Sequence, residues 1–249
     1  MITPKILFED KNYLILDKPA GLLVHSDEKL KVGRATGSLT DWLSKKYPEL
    51  QNIGGEIEIG QGKSVKRWGL VHRIDRETSG VLVVAKNQTA FEDLQKKFET
   101  RKVKKTYYAF VYGRVAVDRQ IIDSPIGRSK TDFRRFAIGT DARGTLREAA
   151  TEYRVVHKTD EVTFVEVMPK TGRTHQIRVH LRSVGHPIVC DPVYAPNRNG
   201  ILGFERLALH AESISFKNLE NEPISVSAPY PADFTNALKT LGISTETSK

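Results

Sequence analysis

The sequence predicts an α+β fold, a mixed and largely antiparallel central sheet with flanking helices. Three observations predict it: the apolar segments are short, they do not alternate regularly with helical ones, and turn residues punctuate them. At 249 residues with 39% hydrophobic content the chain has material for a real core,. It carries no internal repeat and no low-complexity linker,.

Two short strands, Ile6 to Glu9 and Tyr13 to Asp17, flank a polar turn and form a hairpin closed by Pro19-Ala20-Gly21,. Ser38 then caps a helix through Lys46 with Leu39, Trp42 and Leu43 on one face, ended before Pro48,. From Gln51 to Ser64 glycines recur without useful periodicity, which predicts a mobile loop,. An apolar strand, Gly80 to Ala85, precedes a helix from Thr89 to Phe98,. Strands follow over Thr106 to Tyr112, Thr151 to Lys158 and Thr163 to Val167. Between Thr174 and Val184 the period turns helical, with Ile177, Leu181 and Val184 facing a core and His175, Arg178 and Arg182 sharing another face,. A strand from Ala208 to Phe216 and a helix from Ala232 to Leu241 close the fold. One domain is expected over residues 1–241, with a disordered tail over 242–249,.

No apolar run reaches the roughly 18 residues of a membrane span, and MITPKILFEDKNY is too charged for a signal peptide,. The single cysteine, Cys190, excludes internal disulfides and cysteine-rich zinc sites, in keeping with a cytoplasmic protein,. Lysine and arginine total 39 against 30 acidic residues, a net charge of +9. Such a balance fits a polyanion binder or a merely basic soluble protein, and clustering discriminates between them. Lys96, Lys97, Arg101, Lys102, Lys104 and Lys105 precede Tyr107, while Arg128, Lys130, Arg134 and Arg135 interleave with Phe133 and Phe136. Aromatics among cations suit stacked bases and held phosphates.

The densest cluster of reactive side chains is His72-Arg73-Ile74-Asp75-Arg76-Glu77-Thr78-Ser79-Gly80. Its aspartate, set among potential cations, fits a nucleophile, a metal ligand or a residue that braces a turn. His175 and His180 sit close in sequence, but their i, i+5 spacing puts the rings about 140° apart on a helix, unlike a zinc-binding i, i+4 pair,. They read as structural histidines, and no metal site is expected.

The run His72 to Gly80 resembles the H-R-[LI]-D-x-x-T-S-G signature of the RluA/RluC-type RNA pseudouridine synthases, and continues into Val81-Leu82-Val83-Val84-Ala85-Lys86 as their catalytic turn and strand do. Further stretches resemble the same family in order: Asp17-Lys18-Pro19-Ala20-Gly21-Leu22, Lys105-Thr106-Tyr107-Tyr108-Ala109, Ala150-Thr151-Glu152-Tyr153, Gly172 to Leu181 and Gly185-His186-Pro187-Ile188. Two positions depart from the pattern, Cys190 and Ala195, where glycine is usual.

The resemblance implies the pseudouridine synthase fold with a catalytic cleft. It implies an isomerase that breaks the bond between uracil N1 and ribose C1′ and joins C5 to C1′, without a cofactor. The substrate would be structured ribosomal or transfer RNA with the target base flipped out. Asp75 matches the essential carboxylate, attacking C1′ or adding at C6. Tyr107 matches the tyrosine against the uracil, and Arg173 the arginine that pairs with the aspartate. Arg73 matches the arginine that fills the vacated stack, and Ile177 an aliphatic border of the base. Outside the resemblance, Tyr107 and Ile177 read as core and Arg173 as a surface or phosphate contact.

Phosphate contacts are expected from Lys104, Arg128, Arg134 and Arg178, and at most from Lys18. The family pattern starts near Ile6, so target selection is expected from the catalytic domain itself, with Lys29 to Lys66 and Arg128 to Arg135 as grips. No protein partner is evident, and a monomer is the default. Two rivals stay open: an RNA-binding or chaperone protein without catalysis, and a carboxylate-dependent glycosidase or nucleic-acid N-glycosylase. The latter usually needs a second carboxylate, for which Glu77 is the nearby candidate.

Overall fold

The structure is a computed structural model that describes residues 2–25, 37–60 and 63–244. In chain order its strands are β1 (Lys5–Glu9), β2 (Tyr13–Lys18), β3 (Glu56–Gly60), β4 (Lys63–Lys66), β5 (Ser79–Ala85), β6 (Lys104–Tyr112) and β7 (Arg119–Asp123), then β8 (Ile126–Ser129), β9 (Phe136–Ile138), β10 (Ala142–Arg147), β11 (Ala150–Lys158), β12 (Val162–Pro169), β13 (Leu209–Lys217) and β14 (Pro223–Ser227). The helices are α1 (Leu39–Lys46), α2 (Gln88–Glu99), α3 (Gln176–Ser183) and α4 (Ala232–Thr240). This is the α+β class the sequence predicts.

The chain divides into two compact units, Met1–Lys104 with Ala211–Ala228, and Lys105–His210 with Pro229–Lys249. In the first, strands run in the order β1-β2-β5-β13, with β14 paired to β13. The β1–β2 hairpin turns at Asp10, whose Oδ1 accepts from the Asn12 and Tyr13 amides at 2.7 and 2.6 Å,. Tyr13, Ile15, Val81 and Val83 present one sheet face to Ala90, Phe91 and Leu94 of α2. Leu14, Leu16, Leu82 and Val84, which point to the opposite face, are also fully buried,. A strand covered on both faces reads as an unbroken apolar run, which is why β5 was recognisable. Asn87 caps α2 through the Ala90 amide at 2.9 Å, and Ser38 caps α1 in a capping box with Asp41,.

The expected mobile loop from Gln51 to Ser64 is instead a short helical turn, Pro48–Asn52, followed by the β3–β4 hairpin. Glu56 pairs opposite Lys66 and Ile57 opposite Val65, so a backbone ladder with opposed charges holds the hairpin,. Its exposed residues bury too little apolar surface to leave a periodic signal. The proposed grip over Lys29 to Lys66 lies partly outside the described residues, as does the tail beyond residue 244.

In the second unit the order is β6-β12-β11-β7, antiparallel throughout. Phe110, Phe164, Val165, Val167 and Ile188 build its core, with Ile177 and Leu181 of α3 and Phe234 and Leu238 of α4 packed on it. A separate three-stranded sheet runs β10-β8-β9. Helix α3 departs from the expected amphipathic face: Gln176, Ile177, Arg178, Val179, His180 and Leu181 are all buried. Its polar side chains are buried because each is paired.

Gly80 adopts φ +109°, and a Cβ there would be driven into the Ala211 carbonyl oxygen. Left-handed strain alone costs about 1–3 kcal/mol in a residue with a side chain. Gly80→Ala is expected to lower unfolding stability by more than that strain, measured by urea denaturation; an unchanged midpoint would mean that β5 and β13 separate freely.

Candidate active site

Asp75 heads a tight turn in which the Thr78 amide donates to the Asp75 carbonyl at 3.1 Å, closing a four-residue loop over Arg76 and Glu77,. Asp75 is half-buried and Arg73 is exposed. The approach to the turn is zipped along β5: the Ala85 amide donates to the Gly69 carbonyl at 2.9 Å, and the Val83 amide to His72 Nε2 at 3.0 Å. A ring nitrogen that accepts carries no proton, so this second bond makes His72 the neutral Nδ1–H tautomer, and its ring stacks on Phe98 at 4.8 Å,. The signature histidine is thus the strap that ties the aspartate turn to the sheet.

Lys18 closes the same turn from the other side. It stands opposite Gly80 at the end of β2 and is 0% exposed. Its ammonium donates to the Pro19, Leu22 and Arg76 carbonyls at 2.9, 3.0 and 3.0 Å. The Gly21 amide adds a bond to the Arg76 carbonyl at 2.9 Å. The expectation of Lys18 as a phosphate contact is corrected: a buried ammonium fixed to three carbonyls is a structural clamp.

In the second unit, Tyr107 and Tyr108 lie on β6 opposite Val167 and Glu166 and point to opposite faces,. Tyr108 stacks on Phe164 at 5.1 Å and meets Tyr230 edge-on at 5.5 Å, so its ring is engaged in packing. Tyr107, half-buried, shares its face with Lys105, which donates to the Thr171 carbonyl at 3.4 Å. Burial pushes the Lys105 ammonium down to about 8,. Arg173, also half-buried, donates from Nε to the Glu148 carbonyl at 2.9 Å. Ile177 occupies the first turn of α3 at the edge of the core.

Arg178 also departs from expectation. Its Nε and Nη2 donate to Asp191 Oδ2 and Oδ1 at 2.8 and 2.7 Å, and Asp191 is 0% exposed. Burial pushes the Asp191 carboxyl up, but hydrogen bonds and charge from Arg178, with the Tyr194 and Val193 amides, outweigh it and hold the group below its ordinary value,. A guanidinium buried in a two-pronged pair is a brace between α3 and the Asp191 turn, and the expected phosphate contact is withdrawn.

Lys104 is exposed at the start of β6. Arg128 on β8 stands directly opposite Arg143 on β10 and Phe136 on β9. Its guanidinium carbon lies 4.6 Å from the Phe136 ring centre,. Like charges paired across strands destabilise a sheet, so the Arg128–Arg143 row is costly to the fold taken alone. Arg134 is exposed and forks onto Asp132 at 3.1 and 2.9 Å, which holds the Asp132 carboxyl down to about 2. Phe133 between them is 77% exposed. Arg143 escaped the sequence reading because its partnership with Arg128 exists only in the strand register.

The two histidines read as structural are both hydrogen-bonded: His175 Nδ1 meets the Tyr194 hydroxyl at 3.1 Å, and His180 bridges Thr151 Oγ1 and the Ser124 carbonyl at 2.8 and 3.0 Å. Among the described residues no group of three or more histidine, cysteine or acidic side chains is placed to hold a metal ion. No helix of the described residues is long and apolar enough to cross a membrane.

Comparison with known proteins adds a second line of observation. The family described as RNA pseudouridylate synthase matches residues 12–183. The chain is 36% identical over 237 residues to an uncharacterized RNA pseudouridine synthase of Bacillus subtilis, covering 95% of this chain and 72% of that protein. It is 35% identical over 248 residues to ribosomal large subunit pseudouridine synthase D of Zymomonas mobilis, covering 96% and 73%. Among solved structures it is similar to human RNA pseudouridylate synthase domain containing 4, with TM-score 0.71, 26% identity and coverage of 95% and 92%.

Arg178→Met leaves Asp191 buried without its partner and is expected to cost about 3–5 kcal/mol in urea denaturation; a loss under about 1 kcal/mol would mean that water replaces the guanidinium. His25 is held down to about 4, first by burial and then by Arg73 and Arg67. Its unfolded value lies near 6.5, so the unfolded chain binds the proton first as pH falls. The His25 contribution is whole above about pH 6.5 and declines toward pH 4. His25→Gln is expected to flatten that stretch of the stability–pH profile, and an unaltered slope would assign it to other groups.

Proposed function

This chain belongs to the RNA pseudouridylate synthase family, isomerases that act on RNA, and from that premise we propose that Asp75 is its catalytic carboxylate toward uridines of structured RNA. The reaction breaks the N1–C1′ bond, joins C5 to C1′, removes the proton from C5 and leaves one on N1, so substrate and product are isomers. Asp75 acts as the nucleophile at C1′ or C6, or stabilises charge developing at the sugar. Tyr107 lies against the uracil and assists loss of the C5 proton. Arg173 orients the carboxylate, Arg73 fills the stack left by the flipped base, and Ile177 borders the base.

The observation that carries this reading is the turn itself. A half-buried carboxylate heads a loop fixed by β5 on one side and by the buried Lys18 ammonium on the other. Such a fixed carboxylate is prepared for a reacting atom, where a merely turn-bracing aspartate would need neither strap nor clamp. It also favours an enzyme over a binding-only protein.

Ribosomal RNA is the first substrate to try, since relatives are named as ribosomal large subunit pseudouridine synthases C and D; transfer RNA is the second. The reading covers residues 1–241 as a catalytic domain working as a cytoplasmic monomer without a cofactor. Lys104, Arg128 and Arg134 contribute to RNA affinity, with Arg143 beside Arg128 as the strongest pair for phosphates, because Arg134 is already matched by Asp132,.

Transcripts carrying uridine tritiated at C5 are expected to release label with the wild type and none with Asp75→Ala, while Asp75→Ala keeps RNA affinity within about threefold. Release by Asp75→Ala at the wild-type rate would remove the carboxylate from the reaction, and no release by the wild type from either RNA class would favour a binding-only protein. Arg128→Glu combined with Arg143→Glu is expected to weaken RNA binding and to flatten the salt dependence by about 1–2 in log–log slope; an unchanged slope would take β8 and β10 out of the RNA footprint.

A further inference from the structure

The second unit holds its arginine as firmly as the first holds its aspartate, and one side chain carries that grip. We propose that Gln176 is the positioning residue for Arg173, an inference that rests on the assignment of Arg173 to the reaction. Gln176 opens α3 and is 4% exposed. Its Oε1 accepts from the Arg173 amide at 2.9 Å and from Thr171 Oγ1 at 2.6 Å. Its Nε2 donates to the Ala150 carbonyl at 3.0 Å and to Thr151 Oγ1 at 2.9 Å. A neutral amide offers two donors and two lone pairs, and all are used.

The bonds have a direction that only glutamine satisfies. Thr151 Oγ1 accepts from Gln176 Nε2, and because the Ser124 carbonyl takes the Nε2 hydrogen of a neutral His180, the Thr151 hydrogen goes to His180 Nδ1 at 2.8 Å,. His180 is then the Nε2–H tautomer, donating to the Ser124 carbonyl at 3.0 Å. Burial lowers the His180 pKa, which suits a neutral ring,. On the other side, Thr171 Oγ1 spends its hydrogen on Gln176 and accepts from the Ala150 amide at 3.2 Å. Each donor in this chain from Ser124 to Arg173 meets one acceptor. A glutamate at position 176 offers no donor to Ala150 or Thr151 and sets a carboxylate against the Ala150 carbonyl.

The network converges on a single short turn, Thr171-Gly172-Arg173. Gln176 pins the backbone of Arg173 to the start of β11, and the Glu148 carbonyl, two residues before Ala150, takes its Nε. The same edge of β11 therefore fixes both the main chain and the guanidinium of one residue. His175, between Arg173 and Gln176, sits in left-handed backbone at φ 57°, a strained conformation for a side chain of that size,. The network outweighs that strain and gives the arginine a defined direction, as a catalytic group requires.

A purely structural glutamine would also destabilise the chain when replaced, so the test is a double-mutant cycle read on turnover. Single-turnover tritium release is measured at saturating ribosomal RNA transcript for wild type, Gln176→Met, Arg173→Met and the double variant, with RNA affinity measured alongside. Gln176→Met is expected to slow release between about ten- and a hundredfold with affinity within about twofold. In the Arg173→Met background the same change is expected to cost nothing further. Multiplicative losses would overturn the inference, because Gln176 would then act without Arg173. Full activity of Arg173→Met would instead overturn the assignment on which it rests. Thr151→Val, which removes the hydroxyl between Gln176 and His180 and keeps the side-chain shape, gives the same non-additive pattern if Gln176→Met fails to fold; an additive pattern there also overturns the inference.

Discussion

The buried ammonium of Lys18 is the constraint on which the first unit's site depends. A charge taken out of water costs several kcal/mol unless its donors are satisfied, and a conformation that satisfies three donors at once is far narrower than one set by apolar contact. Lys18 meets the Pro19, Leu22 and Arg76 carbonyls, which belong to two turns separated in sequence. The Lys-Pro-Ala-Gly turn and the Asp75 turn therefore become one rigid object. His72 and Gly80 complete it, the first by capping an amide of β5 and the second by allowing β5 to approach Ala211.

The second unit solves the same problem with neutral groups. Gln176, Thr151 and His180 form a fully donor-matched chain that ends on Arg173. Nearby, Arg178 and Asp191 form an ion pair buried away from water. Polar groups inside α3 thus do two jobs, orienting one arginine and bracing the helix with another, and in each the cost of burial is offset by complete pairing. Their fixed directions restrict each unit to one arrangement more sharply than the surrounding leucines and valines do.

Much of this was legible in the sequence where the governing interactions are local. The helix cap at Ser38, the first hairpin with its polar turn, the apolar run of β5 and the signature around Asp75 all depend on neighbours within a few residues. The roles of Lys18 and Arg178 were not legible, since Arg76 lies 58 residues from Lys18 and Asp191 13 residues from Arg178. Without those partners a lysine before proline and an arginine on a helix both read as surface cations. The β3–β4 hairpin was missed because its stability lies in a ladder and opposed charges. Strands β8 and β10 were hidden because arginine and glycine dominate them, and the Arg128–Arg143 row appears only once the register is known.

The aspartate turn is held ready before RNA arrives, and Lys18→Met probes that readiness. Methionine keeps much of the side-chain volume but leaves three carbonyls without the ammonium, a loss of about 1–3 kcal/mol for each buried group left unsatisfied. The measurement is tritium release alongside thermal unfolding, at a temperature where the variant retains native circular dichroism. A lower melting temperature is expected, together with a turnover loss that persists while the variant is folded. Wild-type turnover in a folded Lys18→Met protein would mean that the Asp75 turn finds its working shape without the clamp.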